Sequence, residues 1–201
     1  MNASATAPAI LAIGGTTRAG STSERALLHA AGQARKLGAA VTVLCGQDLM
    51  FPILDPAAAC DDPRVERFLR AVRASDGLII SSAAYHGGVS GMLKNAIDYI
   101  DSDSPADPYL SNRAVGCIAC AGGWQATVTT MSSLRSIVHA LRGWPVPLGV
   151  TINSSEKVFG PDGSCQDERV ADSLDQLARE VVAFASVRRR LAAVSRGAAA
   201  A

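Results

Sequence analysis

The sequence predicts a doubly wound α/β domain, in which a parallel β-sheet carries helices on both faces. Three observations lead there. Short apolar runs alternate with amphipathic stretches along the chain, which is the rhythm of repeated strand and helix units. The residues are 48% hydrophobic but only 4% aromatic, so the core is built of Ala, Val, Leu and Ile, which suits helices packed closely on a sheet better than an aromatic-rich sandwich. The length of 201 residues is that of one domain, expected over residues 8–196, with tails at 1–7 and 197–201 that hold nothing to bury and are expected to be disordered.

Residues 9–15 (AILAIGG) form a continuous apolar run ending in glycine, the mark of a strand buried on both faces. From Ser23 to Leu37 the positions Leu27, Ala30, Ala31, Ala34 and Leu37 fall at helical spacing, and Gly38 supplies the stop. AVTVLCG (40–46) is the second strand; after a loop with Pro52, Pro56 and Pro63, a helix places Val65, Phe68, Leu69 and Val72 on one side. GLIISSA (77–83) is the third strand, followed by a helix from Gly91 to Asp101 through Leu93, Ala96, Ile97 and Ile100. AVGCIACAGG (114–123) is the fourth strand, and Met131, Leu134, Val138 and Leu141 mark its helix. PLGVTIN (147–153) is the fifth strand, and Val170, Leu174, Leu177, Val181 and Phe184 mark the last helix. Five strands with right-handed crossovers favour the flavodoxin-like order 2-1-3-4-5, in which ligands bind at the strand C-termini around the switch point between the first and third strands.

The two loops at that point hold the chemistry. The first, Gly14-Gly15-Thr16-Thr17-Arg18-Ala19-Gly20-Ser21-Thr22-Ser23, sets glycines and hydroxyls between a strand and a helix N-terminus, where backbone N–H groups and the positive helix end favour a phosphate and Arg18 adds charge. Its glycine spacing copies a P-loop, but Ser21 stands where the lysine belongs and there is no Gly-x-Gly-x-x-Gly, which disfavours nucleotide hydrolysis and a dinucleotide fingerprint. The competing reading is that Ser21 to Ser23 only cap the helix. In the second loop, Ser82 to Gly91, glycines at Gly87 and Gly88 let backbone groups approach a flat heterocycle that Tyr85 or His86 covers.

Here a family resemblance becomes specific. Gly15-Thr16-Thr17-Arg18-Ala19-Gly20-Ser21-x-Ser23 resembles the Gly-Ser-x-Arg-x-x-Ser signature of the NAD(P)H-dependent FMN reductases. Tyr85-x4-Ser90-Gly91-x-Leu93-Lys94-Asn95-Ala96-Ile97-Asp98 looks like that family's Pro-Glu-Tyr-Asn segment and the helix after it, and Ala121-Gly122-Gly123-Trp124-Gln125 resembles its third, glycine-rich flavin loop. The resemblance covers roughly residues 9–185. It implies bound FMN, NADPH or NADH as hydride donor, and a homodimer or homotetramer. The FMN contacts it implies are Thr16, Thr17, Arg18, Ser21, Thr22, Ser23, Ala83, Ala84, Tyr85, His86, Gly87, Gly122, Gly123 and Trp124. This chain departs from the pattern at Thr16, which replaces Ser, and at Ala83, Ala84 and His86, which replace Pro, Glu and Asn. Ala83 is expected to loosen the loop and His86 to add a titratable donor beside the flavin.

The function expected is NAD(P)H oxidation through FMN to a small-molecule acceptor: free FMN, a quinone, an azo compound or a metal oxyanion. The alternatives are an FMN-dependent dehydrogenase of a specific biosynthetic metabolite and a non-enzymatic flavodoxin carrier, although carriers are acidic and this chain has a formal charge of +1. The near-neutral charge speaks against nucleic acid, and the sequence lacks an apolar run of membrane length; the cytoplasm is expected, because five scattered cysteines do not read as a disulfide framework. No metal site is expected. Cys117-x-x-Cys120 lies within a strand, where a spacing of three sends the side chains to opposite faces, so core packing is expected rather than a redox pair. Lys94, Asn95 and Asp98 are expected to orient a loop or meet a subunit, and Arg188-Arg189-Arg190 to complement the dipole at the end of the last helix.

Overall fold

The computed structural model describes residues 7–101 and 108–199. The expected strands and helices form in the expected order. The strands are β1 (Ala9–Gly15), β2 (Ala40–Cys45), β3 (Gly77–Tyr85), β4 (Gly88–Val89), β5 (Ala114–Ala121), β6 (Trp144–Pro145) and β7 (Val150–Asn153), and the helices are α1 (Thr22–Lys36), α2 (Pro63–Ala74), α3 (Gly91–Asp98), α4 (Trp124–Ala140) and α5 (Glu168–Ala199). The parallel order is β2-β1-β3-β5, with β6 and β7 both paired to β5 and the two-residue β4 folded back antiparallel on β3. This is the flavodoxin-like arrangement, with two differences of detail.

The fifth position of the sheet is split. β6 pairs with Ala114 and Val115 at the start of β5, and β7 pairs with Ile118 to Ala121 at its end. Pro147 has no N–H to give a ladder and the N–H of Leu148 donates to the Glu180 carboxylate at 3.3 Å, so the single strand expected from Pro147 onward starts only at Val150. The second difference is β4, too short to show a hydrophobic period.

Alternation along β1 divides the core. Ile10 and Ala12 join the cluster under α1 and α5, and Leu11 and Ile13 join the cluster under α2, α3 and α4. Ala26, Ala30, Ala31 and Ala34 bury α1's face completely, so this helix lies close on the sheet, which explains how the core closes with few aromatics. Cys117 and Cys120 fall in opposite clusters, as the strand period requires, and burial pushes both thiols up to about 12.

Three local expectations need correction. The helix expected to Asp101 ends at Asp98 with Tyr99 as its C-cap, and Tyr99 and Ile100 are buried beyond it. The helix after β5 starts at Trp124, so the third loop is shorter than expected. The last helix continues to Ala199 through an alanine-rich segment of good helix formers, so Arg188 and Arg189 do not lie at its C-terminus; both pair with the buried carboxylate of Asp76, at 2.9 and 2.6 Å. Of the expected tails, residues 1–6 and 200–201 lie outside the described residues. No helix among the described residues is long and apolar enough to cross a membrane.

Candidate functional site

A cleft of about 150 Å³ opens at the C-terminal ends of β1, β3 and β5. It is lined by Thr16, Arg18, Ser21, Thr22, Ser23, Ala83, Ala84, Tyr85 and Gly122 of the expected residues, joined by Cys120, Ala121 and Ser154. The fold therefore brings the three loops to one place. Thr17, His86, Gly87, Gly123 and Trp124 do not line this cleft. Trp124 is half exposed at the first position of α4 and lines a neighbouring cavity with Thr151, Asn153 and Arg169. Ser154 carries no local sequence signal for the cleft. Its backbone N–H donates to Ala121 O at 2.7 Å, a contact between segments more than thirty residues apart that no local pattern announces.

The first loop is shaped by its neighbours before any ligand is considered. Gly14 sits so close to β3 that a Cβ would lie 2.0 Å from Ser81 O, at a φ of +143°, so glycine is required there by contact as well as conformation. The Thr16 hydroxyl closes a short turn with the N–H of Arg18 at 3.1 Å. Ser21 is the N-cap of α1 and accepts from the N–H of Glu24 at 3.3 Å, while the Glu24 carboxylate reaches back to the N–H of Gly20 at 2.5 Å. This reciprocal pair is a capping box displaced by one residue, and it holds the loop from behind.

Capping is thus part of the loop's role, yet it leaves donors over. The N–H groups of Thr22 and Ser23, in the first turn of α1, have no acceptor among the described residues. Ser21 and Ser23 are buried with their hydroxyls 3.3 Å apart, and the exposed Arg18 guanidinium has no partner among the described residues. Open N–H groups, hydroxyls and a cation at a helix N-terminus form a site for a phosphate-sized anion.

The second loop is a tight hairpin, not the loosened loop expected from Ala83. Ala84 pairs with Val89 and Tyr85 with Gly88, leaving His86 and Gly87 as the two-residue turn, with φ of +52° and +80°. Two successive positive φ values mark a type I′ turn, whose first position favours the residues that tolerate the left-handed region, Asn, Asp and His among them. This gives a backbone reason for His86 where the resembling family has Asn. Thr129 of α4 donates to Gly87 O at 2.9 Å and fixes the hairpin, while Ser82 accepts from the N–H of Ser90 at 3.1 Å at its base. Ala83, Ala84 and Gly122 give the cleft flat, side-chain-poor walls, with Tyr85 60% exposed at its lip.

The nearby polar helix residues are positioning groups. Asn95 accepts from the N–H of Leu54 at 2.9 Å and donates to Pro52 O at 2.8 Å, clamping the loop after β2, and Lys94 pairs with Asp98 one turn along at 2.6 Å. His29 meets Asp175 across α1 and α5 at 3.0 Å, which makes it a boundary residue.

A family model described as NADPH-dependent FMN reductase matches residues 8–157. The chain is similar to the FMN-dependent NADPH-azoreductase of Staphylococcus haemolyticus strain JCSC1435, at 35% identity over 100 residues, 50% of this chain and 50% of that protein. The enzyme of the same description from Staphylococcus aureus strain USA300 is 37% identical over 91 residues, 45% of each. The chain thus spans about half the length of the curated relatives it matches. Among solved structures, the flavoenzyme NAD(P)H:(acceptor) oxidoreductase of Paracoccus denitrificans superposes with a TM-score of 0.72 at 17% identity, over 90% of this chain and 98% of that one, a likeness of fold.

Proposed function

The chain belongs to the NADPH-dependent FMN reductase family, and from that premise we propose that it is an FMN-dependent NAD(P)H oxidoreductase, delivering electrons from NAD(P)H to a small-molecule acceptor. The acceptors open to it are free FMN, a quinone, a metal oxyanion or an azo compound, the last being the substrate class in the names of its relatives. The observation that carries the reading is the pair of unclaimed N–H groups at Thr22 and Ser23 beside buried hydroxyls, in the same cleft as the flat wall of Ala83, Ala84 and Gly122. A phosphate at one end and a planar ring at the other is the outline of FMN. The chemistry FMN supplies when bound is hydride acceptance and electron release.

What this chain's own residues do is bind and orient. Thr22 and Ser23 N–H, the Ser21 and Ser23 hydroxyls and Arg18 would hold the phosphate, with the capping box keeping the loop in place. Ala83, Ala84 and Gly122 admit the ring without side-chain obstruction, and Tyr85 stands at the edge to shield it. The exposed Tyr85 at the cleft lip and the exposed Trp124 and Val128 of α4 support a homodimer or homotetramer in which a second subunit covers apolar surface, and five free cysteines suit a reducing cytoplasm.

Titration with FMN followed by flavin fluorescence tests the site. The parent protein is expected to bind FMN, and an Arg18→Ala, Ser21→Ala, Ser23→Ala variant to bind it more weakly by a few kcal/mol at most, since backbone donors persist. Equal affinity in both would remove the phosphate assignment. Steady-state NADPH oxidation with an azo dye, a quinone and free FMN then identifies the acceptor.

A further inference from the structure

We propose that an open groove next to the cleft takes the 2′-phosphoadenosine end of NADPH, with Arg25 and Lys157 recognising the 2′-phosphate. This inference rests on the reading above that a reduced nicotinamide dinucleotide is the hydride donor. The groove encloses about 910 Å³ and is lined by Arg25, Lys157, Phe159, Pro161, Asp162 and Gln166, together with the backbone of Gly160. Arg25 stands beside the phosphate loop: a Cβ on Gly20 would lie 3.5 Å from Arg25 Nη2.

The groove's floor is a hydrogen-bonded hairpin. Residues 158–166 form a small hairpin with an antiparallel bridge between Phe159 and Cys165, and hydrogen bonds from Gly160 N to Ser164 O at 2.8 Å and from Gln166 N to Val158 O at 2.7 Å. Buried Val158 anchors it in the core under α1 and α5, against which Phe159 and Cys165 also pack. Arg25 Nη1 donates to Gly160 O at 2.8 Å, which fixes the guanidinium at the groove's edge while its other nitrogens stay on the side of Gly20. A guanidinium held in advance loses less freedom when it takes up a phosphate.

The charges favour an anion. Lys157 is exposed, with no hydrogen-bond or ion-pair partner among the described residues. Asp162 is the one carboxylate in the lining; it accepts from the N–H and the hydroxyl of Ser164 at 3.1 and 2.6 Å, and these contacts together with the charge of Arg25 hold it below the usual carboxylate range, so the lining carries two cations against one anion. Half-buried Phe159 and exposed Pro161 supply apolar surface for a purine. An adenine wall beside two cations fits a phosphorylated adenosine, and a guanidinium near the ribose is the general means of selecting the 2′-phosphate of NADPH over the hydroxyl of NADH.

The test measures kcat/KM for NADPH and for NADH with the FMN-loaded parent, Lys157→Gln and Arg25→Lys, together with calorimetric binding of 2′,5′-ADP to each protein. The parent is expected to prefer NADPH. Lys157→Gln, which removes an ammonium that has no hydrogen-bond or ion-pair partner among the described residues, is expected to lower the NADPH-to-NADH selectivity about tenfold and to weaken 2′,5′-ADP by a similar factor, the loss of one charged phosphate contact. Arg25→Lys keeps the charge but not the fork, so a smaller loss of the same sign is expected. Unchanged selectivity and unchanged 2′,5′-ADP affinity in both variants overturns the assignment. Failure of the parent to oxidise either dinucleotide with any acceptor overturns instead the oxidoreductase reading, and calorimetry still reports on the groove.

Discussion

At the end of the sheet where the strands begin, the buried carboxylate of Asp76 accepts from the N–H of Ala9 at 2.9 Å and from Arg188 and Arg189, while the buried Arg113 donates to the carbonyls of Ser75 at 3.1 Å and Ser111 at 3.0 Å. At the other end, where the strands finish, buried Ser21 and Ser23 sit beside N–H groups that nothing in the described chain accepts from. Both ends bury polar atoms in the same three-layer fold. The first end closes them on one another and locks α5 to the sheet; the second leaves donors open toward a cleft. The difference teaches how to read a polar cluster: satisfied groups mark structure, and groups left unsatisfied in an accessible cleft mark a ligand.

That contrast can be broken by substitution. The largest effect is expected where the open end depends on close packing: Gly14→Ala drives a Cβ into Ser81 O and is expected to cost more than about 4 kcal/mol, read as loss of soluble folded protein or a collapsed urea midpoint. Asp76→Ala strikes the closed end, removing the carboxylate that Arg188, Arg189 and the N–H of Ala9 share. Because the two arginines keep some solvent contact, a loss of about 2–4 kcal/mol is expected in urea unfolding, with FMN affinity of the folded fraction unchanged. A change in FMN affinity there would show that the two ends are coupled.

Ser21→Ala removes the N-cap of α1 and is expected to cost about 1 kcal/mol of stability while also weakening FMN, so that, unlike Asp76→Ala, it moves both readouts. At the hairpin tip, His86→Ala should cost about 1 kcal/mol for placing alanine at positive φ, and His86→Asn should be neutral, because asparagine accepts that conformation. Equal losses for both would refute the backbone account of His86. The smallest effect is chemical. Burial pushes Cys45 up to about 11 and Cys117 and Cys120 to about 12, so few of these thiols are ionised near neutral pH, and exposed Cys60 is expected to react first with a thiol reagent.

The sequence by itself determined the alternation of strands and helices, the parallel order of the sheet and the position of the first loop. The elements and the loop are encoded in neighbouring residues, since a strand buried on both faces must be an apolar run, a surface helix must show its period, and a helix N-terminus after a strand needs hydroxyls and glycines; the order follows from the handedness of the crossovers between them. The opposite-face placement of Cys117 and Cys120 was legible for the same reason, since a strand's period is fixed by its backbone. Tertiary structure alone decided that Ser154 reaches the cleft, that Trp124 does not line it, that Arg188 and Arg189 close on Asp76, and that Arg25 meets the hairpin around Gly160. These are contacts between segments distant along the chain, set by how far each helix runs and where each loop returns. A residue's type and its near neighbours state what it is able to bond, but only packing decides which groups are already bonded and which remain open for a ligand.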